Sequence, residues 1–229
     1  MTAPGQAPSP GETVPLDKIQ SHQAIKVLRM SPGQEIELTG PWGLAQARIE
    51  KIDQKPQPTL WVTLLSPFEA PPDSAQSLLA LSLIRSSRFD WAVEKATELG
   101  VKLLVPIMAH RSVPLASGQT KLSRWLRLSE ESRKQCGRPN PMDIRAPMTL
   151  ENFFQMPLPG PKFLADPAGS PQASPPDQAF SLLIGPEGGF TDQEKQLAYH
   201  NGFMPYSLGP LTLRSETAAV ALLAKLLIK

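Results

Sequence analysis

The residues best suited to bind a ligand lie in a glycine-rich turn, LLIGPEGGFTDQE, at positions 182–194. An apolar run leads into this turn, and a helical pattern follows it. Gly185, Gly188 and Gly189 let the backbone come close to a ligand, which main-chain N–H and C=O groups can then bind. The turn lacks both the P-loop and the GxGxxG patterns, so phosphate binding is not predicted. A tight structural turn between a strand and a helix is the alternative.

A second polar segment, LGPLTLRSETAA at positions 208–219, also leads from an apolar run into a helix. It places Arg214, Ser215, Glu216 and Thr217 at the start of that helix, where Ser caps a helix and Glu offsets its dipole. Alone, this pattern favours a structural role. Ligands of open α/β sheets bind at the carboxyl ends of strands, so the two segments together predict one site.

Metal and disulfide chemistry are not expected from this sequence. The three histidines, His22, His110 and His200, are scattered, and with Cys136 they show no metal-ligand spacing. We therefore predict no metal site. A single cysteine cannot form a disulfide within the chain.

The composition is that of a globular chain of 229 residues, with 41% hydrophobic and 19% charged residues. The longest nearly apolar stretch, 218–228, is shorter than the ~20 residues that span a bilayer. The first 15 residues have no basic residue and no apolar core, so they do not resemble a secretory signal. We expect no membrane association and a cytoplasmic location.

The charge is concentrated in the middle of the chain. Residues 85–138 carry 11 basic and 5 acidic side chains, whereas the segments before and after each carry 6 basic and 8 acidic ones. A basic middle between mildly acidic ends is typical of a surface that binds a polyanion. A solvated helical face explains the same charges equally well.

The first part of the chain predicts a small antiparallel β domain at 1–74. Residues 1–15 are rich in Pro, Gly and small polar residues, and we interpret them as a flexible arm. From about residue 34 the apolar residues recur with a period of two, and Gly40-Pro41-Trp42-Gly43 forms a turn. A Pro-rich junction at 66–77 then separates this domain from the second domain, 75–229.

Beyond the junction, short apolar runs alternate with helical patterns, which predicts an α/β fold with a mostly parallel sheet covered by helices. Helices are expected at about 88–99, 121–136, from 192, and at about 215–228, with a surface loop at 166–178. Ser87 is predicted to cap the first of these helices, with Gly100 ending it. Thr191 and Glu194 are predicted to form a capping box.

Six ordered segments resemble one known family. They are HQAIKVLRMSPGQ (22–34), FDWAVEKATELGV (89–101), RSV (111–113), QCGRPNP (135–141), IGPEGGFTDQE (184–194) and LGPLTLRSETAA (208–219). The chain resembles SPOUT-class methyltransferases of the ribosomal RNA small subunit methyltransferase E family, which modify uracil N3 in 16S ribosomal RNA. The resemblance implies a PUA-like RNA-binding β-barrel, a catalytic domain with a C-terminal deep trefoil knot, and a homodimer formed through the knotted domain.

The resemblance also implies that S-adenosyl-L-methionine is bound in the knot, largely by backbone groups of three loops. The implied cofactor-binding positions are Leu164, Ile184, Gly185, Pro186, Gly188, Gly189, Leu208, Gly209, Leu211 and Leu213.

Methylation of uridine N3 requires loss of the imide proton and attack on the methyl group, so the protein must position the base and stabilise its negative charge. We assign charge stabilisation or orientation of the base to Arg214. Glu216 and Glu187 are candidates for accepting the proton. The alternatives are an interface ion pair for Arg214, a capping role for Glu216, a solvent-facing Glu187, and solvent as the base.

The candidate RNA surface combines basic residues from both predicted domains, because phosphate contacts position RNA and provide affinity. Its members are His22, Lys26, Arg29, Arg88, Arg111, Arg133 and Arg138. Trp91 and Trp125 lie among apolar residues at helical positions, and we predict that both are core residues.

The chain departs from the family pattern at its start, where the arm replaces an Arg-aromatic segment, and at His110 and Ser215, which replace Glu and Thr. Two other functions are compatible with the sequence: a non-catalytic RNA-binding or ribosome assembly factor on the same fold, and a SPOUT RNA methyltransferase with a different target nucleotide. Cofactor binding distinguishes the first of these from an enzyme.

Overall fold

The computed structural model describes residues 7–40, 42–54, 57–69, 76–114, 118–170 and 179–228. The chain divides into two compact units, the N-terminal unit Met1–Pro72 and the C-terminal unit Asp73–Lys229. Of the helices in the described part of the chain, none has the length and hydropathy needed to cross a membrane.

The N-terminal unit contains a four-stranded antiparallel sheet, as the period-two pattern predicts. Ala45, Ala47 and Ile49 alternate with less buried neighbours and belong to the core of this unit. Gly40 pairs with Gly43, so β2 and β3 are joined where the turn is predicted, and Pro41 of that turn lies outside the described residues. In chain order the elements are β1 (Thr13–Pro15), α1 (Lys18–His22), a π-helical segment (Gln23–Val27), β2 (Glu35–Gly40), β3 (Gly43–Asp53) and β4 (Thr59–Leu64), and the strand order is β1-β4-β3-β2.

The end of the predicted flexible arm is instead a β-strand. Strand β1 pairs antiparallel with β4, placing Val14 opposite Val62, and the hydroxyls of Thr13 and Thr63 are 2.7 Å apart. Pro15 is compatible with this position because β1 is an edge strand. The prediction was therefore wrong for 13–15, and residues 1–6 lie outside the described residues.

The C-terminal unit contains a parallel sheet, which confirms the predicted α/β fold. The strand order is β11-β9-β10-β5-β6-β7, and β8 also pairs with β6. The strands are β5 (Gln76–Ser82), β6 (Leu103–Met108), β7 (Asp143–Ile144), β8 (Met148–Thr149), β9 (Lys162–Ser170), β10 (Ala179–Ile184) and β11 (Phe203–Tyr206). The helices are α2 (Ser86–Glu98), α3 (Gly118–Gln135), α4 (Leu150–Phe154), α5 (Asp192–His200) and α6 (Ser215–Leu227).

Both faces of this sheet are buried, and alternate residues of β10 belong to different core clusters. Leu182 and Ile184 pack with side chains of α2, α3 and α6. Leu183 packs with side chains of α4 and α5, such as Phe153 and Ala198. The apolar runs thus form strands buried on both faces, as expected for a parallel sheet.

Two of the predicted helix ends are confirmed and one is wrong. The capping box of Thr191 and Glu194 is present, and Gly100 follows α2 with a φ of +90°. Ser87 does not cap α2, because the helix begins at Ser86 and Arg85 occupies the cap position without a side-chain hydrogen bond. The carboxylate of Asp90 accepts hydrogen bonds from α3 side chains instead.

The two tryptophans predicted to be core residues differ in the structure. Trp125 is buried, and its indole N–H donates to Asp90 at 3.1 Å. Trp91 is 41% exposed, so its prediction was wrong. The buried face of α2 is formed by residues such as Phe89 and Ala92, and Trp91 lies outside it.

The predicted surface loop 166–178 is partly replaced by strand. Strand β9 continues to Ser170, and Asp166 is buried within it. Because Pro, Ala and Gly follow Asp166, the local composition suggested a loop. Residues 171–178 lie outside the described residues.

The end of α2 is held by Arg138, whose guanidinium donates to the carbonyl oxygens of Thr97 at 3.0 Å and Val101 at 2.7 Å. Terminal carbonyl groups of a helix need such donors because they have no partner within the helix. Arg138 therefore stabilises the junction between α2 and β6.

We expect Arg138→Ala to lower the free energy of unfolding by roughly 1.5–3 kcal/mol, because two charge-assisted hydrogen bonds to part-buried carbonyls are lost. Urea denaturation followed by circular dichroism measures this change. Arg127→Ala is the matched control, because Arg127 is exposed and lies 3.9 Å from Glu131. Equal stability of the two variants would contradict the structural role of Arg138.

Candidate active site

A cleft of about 630 Å³ lies where the carboxyl ends of β9, β10 and β11 meet. It is lined by the end of β9, by the glycine-rich turn after β10 (the glycine loop, 185–190) and by the segment 207–215 that leads into α6. Of the predicted cofactor positions, those that line the cleft are Leu164, Ile184, Gly185, Pro186, Gly188, Gly189, Leu208, Leu211 and Leu213. Gly209 is not among the lining residues.

The glycine loop packs closely against Arg111, which follows β6. The Arg111 guanidinium donates to the carbonyl oxygen of Gly188 at 2.8 Å. A Cβ atom at Gly188 would lie 3.3 Å from Cδ of Arg111, and Gly189 has a φ of +67°. Gly189 therefore needs glycine for its backbone conformation, whereas a side chain at position 188 would have to displace the Arg111 side chain by a few tenths of an ångström.

Ser215 joins the glycine loop to α6. Its hydroxyl donates to the carbonyl oxygen of Gly185 at 2.8 Å, so it does not cap the helix that it begins. Arg214 occupies the N-cap position instead, without a side-chain capping bond. The two polar segments found in the sequence are thus connected directly.

The residue before Arg111 contributes through its backbone. The N–H of His110 donates to Glu194 Oε1 at 2.8 Å, while Glu194 Oε2 completes the capping box with Thr191. A backbone N–H is available from any residue except Pro. The exchange of Glu for His at position 110 therefore preserves this contact.

Arg88, in the first turn of α2, lies between the two candidate glutamates. Its Nη1 forms an ion pair with Glu187, and its Nε is 3.6 Å from Oε1 of Glu216. Glu216 is buried, and among the described residues its Oε2 has no hydrogen-bond partner. Arg214 is exposed and lines the cleft, and its side chain makes no polar contact with the described residues. Arg88 was predicted to contact RNA, and in the structure its guanidinium instead interacts with both glutamates.

A polar cluster that sequence analysis missed lies on the cleft wall formed by β9 and α5. The buried Asp166 forms an ion pair with Lys195 at 2.8 Å. It also accepts hydrogen bonds from the backbone N–H of Ala168 at 3.0 Å and from the Tyr199 hydroxyl at 3.4 Å. The only available signal was an acidic residue at the end of an apolar run.

These contacts shift the pKa values of the cluster. Burial opposes ionisation of Asp166, but the hydrogen bonds from Lys195 and Ala168 outweigh it and lower the pKa of the carboxyl group. The hydrogen bond to Asp166 raises the pKa of Lys195, and burial raises the pKa of Tyr199. Asp166 and Lys195 are therefore both charged at neutral pH.

The remaining candidate RNA residues fall into two groups. His22 at the end of α1, Lys26 in the π-helical segment and Arg29 just after it are exposed on the N-terminal unit. Arg133 instead pairs with Glu130 at 2.7 Å and donates to two carbonyl oxygens of the segment that follows α3. The structure thus gives Arg133, like Arg138, a role within the protein.

The cleft suits a small organic molecule. Its volume lies within the range of about 300–1,000 Å³ that is typical of such sites. Leucine and isoleucine side chains, glycine backbone and a few charged groups form its walls. No group of three or more His, Cys, Asp or Glu side chains that could hold a metal ion occurs among the residues that were described.

Comparison with known families places this fold and cleft in a class of enzymes. Residues 71–227 match the model of the RNA methyltransferase domain family. This match covers more than half of the chain and includes every segment that lines the cleft.

The relatives define the family more closely. The ribosomal RNA small subunit methyltransferase E of Synechocystis is 33% identical over 226 residues, covering 93% of this chain and 72% of that protein. The chain belongs to the ribosomal RNA small subunit methyltransferase E family, which confirms the resemblance. A Neisseria gonorrhoeae member, solved with S-adenosyl methionine bound, shows a TM-score of 0.75 and 26% identity, covering 96% of this chain and 92% of that one. A Legionella pneumophila structure with the cofactor SAM bound shows a TM-score of 0.73 and 30% identity, covering 97% and 94%.

We expect Asp166→Asn to lower the free energy of unfolding by roughly 1–2 kcal/mol at pH 7, because Lys195 and Tyr199 lose a charged partner. The folded-state pKa of Asp166 is lowered, so its contribution is present above the unfolded-state pKa of about 3.9 and is lost as the pH falls through the folded-state value. Urea denaturation at pH 7 and pH 3 measures this difference. The control is Asp143→Asn, at an exposed position, and a pH-independent difference at Asp166 would refute the ion-pair assignment.

Proposed function

We propose that this protein transfers the methyl group of S-adenosyl-L-methionine to N3 of a uridine in 16S ribosomal RNA of the small ribosomal subunit. The observation that carries the proposal is the cleft at the ends of β9, β10 and β11, which brings together nearly all positions implied for the cofactor. Family membership supports the enzyme class, the cofactor and the small-subunit RNA. The choice of uracil N3 rests on the resemblance of the motifs.

The residues present fit this cofactor. Leu164, Ile184 and Leu213 provide apolar walls for a base, and the glycine loop offers backbone groups for polar atoms. When bound, the cofactor supplies an electrophilic methyl group on a sulfonium centre. The contacts of Ser215 with Gly185 and of Arg111 with Gly188 hold the loop in place at the cleft.

Arg214 is the group best placed to stabilise charge on the target base. The neutral imide nitrogen of uracil has no available lone pair, so the base becomes anionic when its N3 proton leaves. A guanidinium that lines the cleft, is exposed, and has no competing contact in the described chain can approach this base. Arg214 would thus stabilise or orient the anion.

Of the two candidate proton acceptors, Glu187 is the more accessible. Its side chain is 37% exposed and lines the cleft, whereas the Glu216 side chain is 11% exposed and is not among the lining residues. A proton acceptor must come within hydrogen-bond distance of the proton that it removes. We therefore assign this role to Glu187, with Arg88 and Glu216 holding it in position. Solvent remains the alternative base.

RNA binding is proposed for exposed basic residues in each unit. His22, Lys26 and Arg29 support an RNA-binding role of the N-terminal unit, for which we propose a PUA-like barrel. In the C-terminal unit the corresponding residue is Arg111, which is exposed and contacts the glycine loop, whereas Arg88 is engaged by Glu187 and Glu216. Phosphate contacts from such residues position the RNA without reading its sequence.

A trefoil knot, a homodimer and a cytoplasmic location complete the proposal. The resemblance of the motifs supports the knot, and in this region β11 packs so closely on β9 that a Cβ atom at Gly169 would lie 2.5 Å from the backbone of Pro205 and Tyr206. The large exposed fractions of Leu211, 78%, and Met204, 52%, support an interface through the knotted region. We propose the cytoplasmic location because the substrate is RNA of the small ribosomal subunit.

The function is tested by methylation of small ribosomal subunits that lack the modification. We expect the protein to transfer a single radiolabelled methyl group per subunit, recovered as 3-methyluridine after digestion and mass spectrometry. Naked 16S RNA serves as the comparison substrate. Label on a ribose or on another base would support a different target nucleotide, and absence of cofactor binding would support the non-catalytic RNA-binding factor.

We expect Arg214→Ala to lower the rate of methyl transfer by about 10- to 1,000-fold, because a group that stabilises developing charge is lost. Affinity for S-adenosylhomocysteine should change by less than about threefold, because the proposed interaction of Arg214 is with the target base and not with the cofactor. Single-turnover kinetics and calorimetry measure the two effects. Arg145→Ala, at an exposed position after the edge strand β7, is the matched control. Dissociation of a dimer in the Arg214 variant would instead show a structural role.

A further inference from the structure

The ion pair between Asp166 and Lys195 lines the cleft but has no part in the chemistry described above. It lies on the side of the sheet that α5 covers. Arg88 belongs to α2, Glu216 belongs to α6 and Arg214 precedes α6, and these two helices cover the other side. The cleft therefore has two separate charged regions. The region formed by Asp166 and Lys195 is available to bind a ligand.

The pair has unused hydrogen-bonding capacity. Asp166 is fixed by Ala168, Tyr199 and Lys195, yet each carboxylate oxygen can accept more than one hydrogen bond. The Lys195 ammonium has three donors, of which Asp166 uses one, and its side chain is 33% exposed. A ligand at this wall thus meets a fixed acceptor beside a fixed donor.

A vicinal diol is complementary to such a pair, because one hydroxyl donates to the carboxylate while the other accepts from the ammonium. An acidic residue near the carboxyl end of a parallel strand binds ribose hydroxyls in dinucleotide-binding folds, by the same chemistry. A free 2′,3′-diol occurs in a nucleoside cofactor. Nucleotides within an RNA chain lack it, because their 3′ oxygen is esterified.

We infer that Asp166 and Lys195 bind the ribose 2′,3′-diol of the nucleoside cofactor and so select the cofactor over RNA at this wall of the cleft. This inference rests on the proposed function. Both residues contribute to recognition of the cofactor and not to the reaction at the target base, because neither is among the charged groups assigned to that base. The lowered pKa of Asp166 and the raised pKa of Lys195 keep the pair charged over the range in which the enzyme is assayed.

The test measures the binding of three probes to the full-length protein by calorimetry. The probes are S-adenosylhomocysteine, 5′-methylthioadenosine, which keeps the diol but lacks the amino-acid part, and the 2′,3′-dideoxy analogue of S-adenosylhomocysteine. We expect Asp166→Asn and Lys195→Gln each to weaken the first two probes by about tenfold or more, the effect of losing a charge-assisted hydrogen bond. Binding of the dideoxy analogue should be unchanged.

Lys51→Gln is the matched control, because it removes a lysine paired with an aspartate, Asp53, at 3.2 Å in the N-terminal unit. An equal loss for all three probes would overturn the inference, since the pair would then only shape the cleft. A loss for S-adenosylhomocysteine without one for 5′-methylthioadenosine would overturn it in favour of a contact to the amino-acid part. Failure of the unmodified protein to bind S-adenosylhomocysteine would refute the proposed function itself. Should Asp166→Asn fold poorly, Lys195→Gln gives the same comparison from a half-exposed position.

Discussion

The hydrogen bond from Ser215 to the carbonyl oxygen of Gly185 connects the two segments that form the cleft. One segment follows β10 and the other follows β11, and these strands are separated in the sheet by β9. Without a direct link, the two loops could move apart independently. The link holds the glycine loop against the start of α6, and therefore close to Arg214, the N-cap residue of that helix. The geometry of the site follows from this one constraint.

The charges around the cleft are balanced, which matters for a positively charged ligand. Arg88 and Arg214 alone would repel a sulfonium group, but Glu187 and Glu216 carry the compensating charges. Because Arg88 is engaged by both glutamates, Arg214 remains the cation at the cleft that has no polar partner in the described chain. The site thus combines a neutral surrounding for the cofactor with one available cation for an anionic base.

Local patterns in the sequence predicted the features that depend on local physics. The period-two pattern of apolar residues predicted the antiparallel strands, and glycine and proline predicted the turn between Gly40 and Gly43. The capping box of Thr191 follows from equally short-range backbone requirements. Features that depend on distant contacts were missed. The composition around Asp166 suggested a loop, although pairing between Ser170 and Tyr206 makes it a strand.

The roles of basic residues also depend on distant contacts, because the sequence shows their charge but not their partners. Arg138 looked like an RNA contact, yet its guanidinium binds carbonyl groups of residues about 40 positions earlier in the chain. Arg88 likewise pairs with Glu187, 99 positions away. The net charge of a segment therefore overestimates the number of cations available to RNA. Exposure and contacts in the folded chain are needed to distinguish basic residues that bind groups of the protein from those available to RNA.

The burial of Glu216 bears on how the proton leaves the target base. A buried carboxylate oxygen without a hydrogen-bond partner in the described chain is costly, and the nearby Arg88 offsets part of this cost. A purely structural position would favour a residue that is fully satisfied, so the buried, unsatisfied oxygen of Glu216 points to a functional role. Its contact with Arg88 supplies one, because the guanidinium that it orients also holds Glu187 at the cleft. Glu216 then acts through Arg88, and the accessible carboxylate is the one that meets the substrate.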